Sequence, residues 1–212
     1  NAAVASVNAS TGLVTGVASG TAAITYTLTD VNGCSNSAST TVTILSAPVV
    51  PLIGGSTEIC AGATSTLTNT TTGGVWTSSN SAVAAINSTG VVTGGIAGSA
   101  TITYTVTTNG CTSFAQEVVN IYPLPVLSAI GGTPSACIGS TSILTNTLSG
   151  GTWTSSNALI AMVNSITGEV TGVAVGTATI TYSYTNSNGC TSSVTKLLTL
   201  HPALLPIISG IS

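Results

Sequence analysis

Apolar and hydroxyl side chains alternate along this chain with a period of two. Ala100, Ile102, Tyr104 and Val106 are interleaved with Thr101, Thr103 and Thr105, and Ala178, Ile180, Tyr182 and Tyr184 repeat the arrangement. Such a period gives a strand one apolar face and one hydroxyl-rich face, the mark of a half-buried β-sheet. An Asn-Gly pair follows each of these runs and predicts a hairpin turn before a cysteine. The returning strand points Val42 and Ile44, Val119 and Ile121, or Leu198 and Leu200 toward the core. Further strands are predicted over 64–69, 75–79, 82–86 and 90–93. No stretch combines apolar spacings of three and four with good helix formers. The expected fold is therefore all-β, built of antiparallel sandwiches.

The pattern recurs about every 78 residues, the mark of small domains in tandem. Gly73-Gly74-Val75-Trp76-Thr77-Ser78-Ser79-Asn80 returns as Gly150-Gly151-Thr152-Trp153-Thr154-Ser155-Ser156-Asn157. Asn32-Gly33-Cys34, Asn109-Gly110-Cys111 and Asn188-Gly189-Cys190 mark one point in three copies. Asn1 aligns with Asn80 and Asn157, which reads as a chain opening inside a repeat. The expected division is a partial repeat over 1–45, complete repeats over 46–121 and 122–200, and the first strand of a further repeat over 201–212. The junctions at Ala47-Pro48, Tyr122-Pro123 and His201-Pro202 are short and proline-bearing. They predict stiff joints, hence a rod.

Charge is nearly absent. Lys196 is the single base, Asp30, Glu58, Glu117 and Glu169 are the only acids, and about a third of the residues are Ser or Thr. One lysine cannot neutralise phosphates, which excludes nucleic acid as a partner. No apolar run reaches the roughly 20 residues of a membrane-spanning helix. A dispersed soluble domain carries roughly 25–35% charged residues on its surface, against 2% of this whole chain. Sugar or neighbouring copies would cover such a surface, and both point outside the cell. Glu117 and Lys196 occupy equivalent positions where alternation turns them inward, and a bulge is the expected remedy.

Each complete repeat holds an early and a late cysteine. Repetition predicts bridges Cys60–Cys111 and Cys137–Cys190, with Cys34 left unpaired by truncation or bonded to another chain. Each such loop of about 50 residues contributes up to about 4 kcal/mol in the chain-entropy model. Zinc is the competing reading, but it wants about four clustered ligands, and the chain has one His and no CxxC.

Trp153-Thr154-Ser155-Ser156-Asn157, Ala161-Met162-Val163, Gly168-Glu169-Val170-Thr171-Gly172-Val173 and Gly176-Thr177-Ala178-Thr179-Ile180-Thr181 together resemble the bacterial immunoglobulin-like domain family of group 2 (BIG2). The second copy matches through Trp76, Val83, Gly90, Gly98 and Ile102. The cysteine pair resembles the variant found in large secreted repeat proteins of Bacteroidetes-type bacteria. The resemblance implies a roughly seven-stranded sandwich used in adhesins, invasin-like stalks and repeat arms of secreted enzymes.

Candidate chemistry is thin. Trp76 and Trp153 read as core pillars before sugar platforms, and Ile24, Tyr26, Ile102, Tyr104, Ile180 and Tyr182 read as core. His201 has no carboxylate near it in sequence, and the four acids do not repeat, so no catalytic site, metal site or cofactor is expected. Asp30 lacks the acidic companions that calcium requires. Asn8, Asn69 and Asn87 fit the N-glycosylation triplet, with O-glycans on threonine rows as the alternative. The expected function is a non-catalytic extracellular shaft of a cell-surface fibre, filament or adhesin that self-associates. The alternative is a carbohydrate- or receptor-binding arm of a larger secreted protein.

Overall fold

The computed structural model describes residues 1–203, and every regular element among them is a strand. The expected first strand over 201–212 therefore lies mostly outside the described residues. The first copy supplies β1 (Ala5–Val7), β2 (Val14–Gly16), β3 (Gly20–Thr29) and β4 (Ser35–Ile44). The second supplies β5 (Glu58–Cys60), β6 (Thr64–Thr66), β7 (Val75–Ser78), β8 (Ala84–Ile86), β9 (Val91–Gly94), β10 (Gly98–Thr108) and β11 (Cys111–Tyr122). The third supplies β12 (Ser135–Cys137), β13 (Thr141–Ile143), β14 (Thr152–Ser155), β15 (Ala161–Val163), β16 (Glu169–Gly172), β17 (Gly176–Thr185) and β18 (Thr191–His201). By Cα proximity the chain divides into two compact units. The first holds Asn1–Thr57, Thr64–Thr93 and Ser99–Val119, and the second holds Glu58–Ala63, Gly94–Gly98 and the described residues from Asn120 on.

The second and third copies have the same topology. A four-stranded sheet, β5-β11-β10-β7, accompanies a three-stranded one, β6-β9-β8; their counterparts are β12-β18-β17-β14 and β13-β16-β15. In the third copy both sheets feed one core. Trp153, Ala178, Ile180, Tyr182, Leu198 and Leu200 come from the larger sheet, and Ala161 and Val170 from the smaller. This is the sandwich that the alternation requires. Ala100, Ile102, Tyr104 and Val106 are buried in the second copy as well. The Asn-Gly turn is tight there: Asn109 and Gly110 have φ of 51° and 82°, the left-handed pair of a type I′ hairpin.

The sandwich departs from a purely antiparallel one at its edge. The first strand of each complete copy lies parallel to its last, with Cys60 opposite Tyr122 and Cys137 opposite His201. The bulge expected at Lys196 is also corrected. β17 and β18 pair in unbroken register from Gly176↔Leu200 to Thr185↔Thr191, which sets Lys196 opposite Ile180 on the core-facing side. The side chain is half-buried and its ammonium donates to the carbonyls of Ile130, at 3.0 Å, and Gly132. A long stem lets it lie along the core edge while its charge is satisfied by backbone.

The Gly-Gly-x-Trp motif has a steric explanation. The Tyr182 hydroxyl accepts from the Gly151 amide at 2.8 Å and donates to the Leu148 carbonyl, and its ring lies 4.5 Å from that of Trp153. Tyr104 repeats this with Gly74, Thr71 and Trp76. A Cβ on Gly151 would sit 2.4 Å from the Tyr182 ring and 2.5 Å from the Ser183 carbonyl. Backbone cannot yield as a flexible side chain does, so Gly151→Ala is expected to cost about 1–3 kcal/mol. Urea denaturation followed by tryptophan fluorescence reads it.

The first copy is open by comparison. β3 and β4 form a two-stranded sheet, and β1 and β2 another. Ala22 is buried and Ile24 half-buried, but Tyr26 is 69% exposed and Leu28 64% exposed. The expectation that Tyr26 lies in a core is thereby corrected. Its counterparts Tyr104 and Tyr182 are covered because a Trp-bearing strand pairs beside them, at Tyr104↔Trp76 and Tyr182↔Trp153. Residues 1–45 contain no tryptophan.

Candidate functional site

The chemistry this chain concentrates is that of its cysteines. Cys190 closes the hairpin between β17 and β18. The Asn186 carboxamide oxygen accepts from the amides of Asn188 and Cys190, both at 3.0 Å, and the Asn186 amide donates to the Cys190 carbonyl at 3.0 Å. Gly189, with φ of 78°, supplies the left-handed residue that the turn needs. The Asn186 Nδ2 also donates to the Pro123 carbonyl at 3.1 Å, fastening the hairpin to the segment after β11.

Cys60 ends β5, held beside the end of β11 by the parallel pairing and by the Ala61 amide donating to the Tyr122 carbonyl at 2.8 Å. Asn120 donates to the Glu58 carboxylate at 2.9 Å. The Tyr122 hydroxyl, and secondarily Asn120, hold that carboxyl below its ordinary range, while the same bond to Glu58 pushes the Tyr122 phenol up.

Cys60 and Cys190 form a disulfide with their Cα atoms 5.6 Å apart. It joins the first strand of the second copy to the hairpin of the third, and both ends belong to the second compact unit. The expected bridges Cys60–Cys111 and Cys137–Cys190 are therefore corrected. The reason is the parallel edge strand. Cys60 lies opposite Tyr122, the last residue of β11, whereas Cys111 is the first of that 12-residue strand. At roughly 3.3 Å per residue the two stand about 35 Å apart, and a disulfide spans Cα atoms only to about 7 Å. Cys137 and Cys190 are separated by β18 in the same way. Cys34, Cys111 and Cys137 are free thiols; the first and last are exposed, and Cys111 is half-buried with Sγ 4.0 Å from the Leu45 carbonyl oxygen.

The other candidate residues take structural places. Trp153 is 5% exposed and Trp76 half-buried, each with a tyrosine ring against it. Asn69 anchors the linker: its Nδ2 donates to the Pro51 carbonyl at 2.7 Å, as the Asn146 Nδ2 does to Ser128. Asn8 and Asn87 are exposed and accept backbone amides within their own turns. Asp30 accepts the amides of Asn32 and Cys34, the turn role that Asn186 plays in the third copy. Among the described residues no three His, Cys, Asp or Glu side chains are grouped to hold a metal ion.

Two seven-stranded sandwiches of one topology, each with a Trp–Tyr core and a Gly-Gly corner, define an immunoglobulin-like repeat protein. The chain belongs to the bacterial Ig-like domain family (group 2), whose model matches residues 38–114 and 141–193. Ice-binding protein 1 of Shewanella frigidimarina (strain NCIMB 400) is 31% identical over 227 aligned residues, covering 97% of this chain and 25% of that protein. The chain thus spans about a quarter of that relative's length. Among solved structures, domains 4 and 5 of the S-layer protein SbsC align with a TM-score of 0.31 and 19% identity, over 72% of this chain and 99% of that one. A SusE-like surface-located polysaccharide-binding protein of Bacteroides thetaiotaomicron aligns with a TM-score of 0.40 and 12% identity, over 85% of this chain and 43% of that one. Scores this low leave the family match to carry the assignment.

Proposed function

We propose that this chain is a non-catalytic, load-bearing stretch of a secreted or cell-surface bacterial protein, its Ig-like repeats over 46–121 and 122–200 forming part of the shaft of a fibre or adhesin. The Cys60–Cys190 bond carries this reading. It links one repeat to the next and shortens the covalent path by 130 residues. A pull applied along the chain runs from β5 through the sulfur bridge into β18, so β6 to β17 bear none of it. Disulfides of this kind persist in oxidising surroundings, outside the cytoplasm. A surface almost without charge offers little repulsion between copies, which supports self-association.

Single-molecule extension between the two ends tests the proposal. At about 3.5 Å per extended residue, the enclosed chain represents roughly 45 nm of contour. That length is expected to be withheld under oxidising conditions and released when reductant is added. Equal extension with and without reductant would sink the load-bearing reading.

A further inference from the structure

The Cys60–Cys190 bond obeys a rule that the repeat makes general. The early cysteine sits on an edge strand beside the last residue of its own copy, and it bonds the hairpin cysteine of the next copy. Cys111 is the hairpin cysteine of the second copy, as Cys190 is of the third. Leu45 comes directly after β4 as Tyr122 ends β11, since Thr43-Ile44-Leu45 and Asn120-Ile121-Tyr122 close their copies at the same point. In the bonded junction Cys60 lies opposite Tyr122. In the other junction the Cys111 Sγ lies 4.0 Å from the carbonyl oxygen of Leu45 itself.

The thiol is thus already at the place that a Cys60-like residue would reach. The strand that would bring it is lacking among the described residues. β11 and β18 each carry a parallel edge strand, whereas β4 pairs with β3 alone. The end of β4 is only partly covered, with Val42 and Ile44 half-buried and Leu45 exposed.

We propose that Cys111 is the receiving half of a second inter-repeat bond. It takes a cysteine-bearing strand of the Glu58–Cys60 type, the first strand of such a repeat, laid parallel along Val42 to Leu45 as β5 lies along β11. Backbone pairing along the edge positions the strand, an apolar residue equivalent to Ile59 packs inward, and the cysteine meets Cys111. Closing the bond is an oxidation. The two thiols give up two protons and two electrons to a disulfide oxidant, which leaves as two thiols. Whether the shaft carries load does not enter this pairing.

The probe is a synthetic peptide of residues 54–63, Gly-Gly-Ser-Thr-Glu-Ile-Cys-Ala-Gly-Ala, activated at its cysteine as a mixed disulfide with an aromatic thiol. The Cys111 thiolate attacks the peptide sulfur and the aromatic thiolate leaves, so no outside oxidant is needed. The oxidised chain, with Cys60–Cys190 intact, is mixed with this peptide, with a scrambled one, and with the small aromatic disulfide alone. Labelling of Cys34, Cys111 and Cys137 is quantified by peptide mass spectrometry. Relative to the small disulfide, the native peptide is expected to favour Cys111 at least tenfold, and both scrambling and Ile59→Lys in the peptide remove the preference. Labelling in order of exposure, with Cys34 and Cys137 ahead of Cys111 for every reagent, would overturn the proposal. Equal preference for native and scrambled peptides would overturn it too.

Discussion

Serine in place of Cys60 is expected to lower the melting temperature of the two complete copies, residues 46–200, by about 10–20 °C. The bridge closes a loop of 130 residues, for which the chain-entropy model gives about 5 kcal/mol. In a region of 150–250 residues each kcal/mol moves the midpoint by about 2–4 °C. Cys190, fully buried, is left as a small apolar thiol, so the native state itself changes little. Calorimetry of the oxidised protein reads the shift, and Cys190→Ala is expected to match it. Cys111→Ser and Cys137→Ser are expected to move the midpoint by less than about 2 °C, since neither residue is bonded within the chain. A loss for Cys111→Ser as large as that for Cys60→Ser would revive pairing within the repeat.

The second large effect concerns the pillar of the sandwich. Trp153 lies in the third copy's core with the Tyr182 ring tilted against it at 4.5 Å, and Gly168 packs beneath it because any Cβ there would meet the indole. Trp153→Ala is expected to destabilise this copy by about 3–5 kcal/mol, the range for truncating a large buried aromatic. Tyr26→Ala in the first copy is expected to cost less than about 0.5 kcal/mol, although Tyr26 is the sequence equivalent of the buried Tyr182. In the first copy the corresponding place is an open groove bordered by Val7, Gly12, Ile24 and Tyr26. Denaturant titration of the two variants gives the contrast directly. Similar losses for both would mean that the first copy is closed in solution.

These two effects also mark where sequence reasoning succeeds and where it stops. Strand alternation makes Ile102, Tyr104, Val119, Ile180 and Leu198 legible as inward-facing, because a period of two assigns a face without knowledge of neighbours. The Asn109-Gly110 hairpin is legible for the same local reason. Tyr26 carries the same local signal, but burial is decided by what packs against a face, and no Trp-bearing strand lies beside it. Alternation asks for a bulge at Lys196 because it says nothing of two carbonyls within reach of a long stem. The cysteine pairing is the most consequential miss. Counting cysteines treats each copy as closed on itself, whereas the parallel edge strand puts Cys60 at the far end of β11 from Cys111.

The central claim is that the repeats are joined covalently across their boundary. It is tested most directly by digesting the oxidised, alkylated protein with a protease of broad specificity and sequencing the disulfide-linked peptides by mass spectrometry. The account predicts one linked pair, a peptide containing Cys60 joined to one containing Cys190, with alkylated Cys34, Cys111 and Cys137. Linked pairs of Cys60 with Cys111 and Cys137 with Cys190 would contradict it, and with it the covalent path on which the load-bearing reading rests.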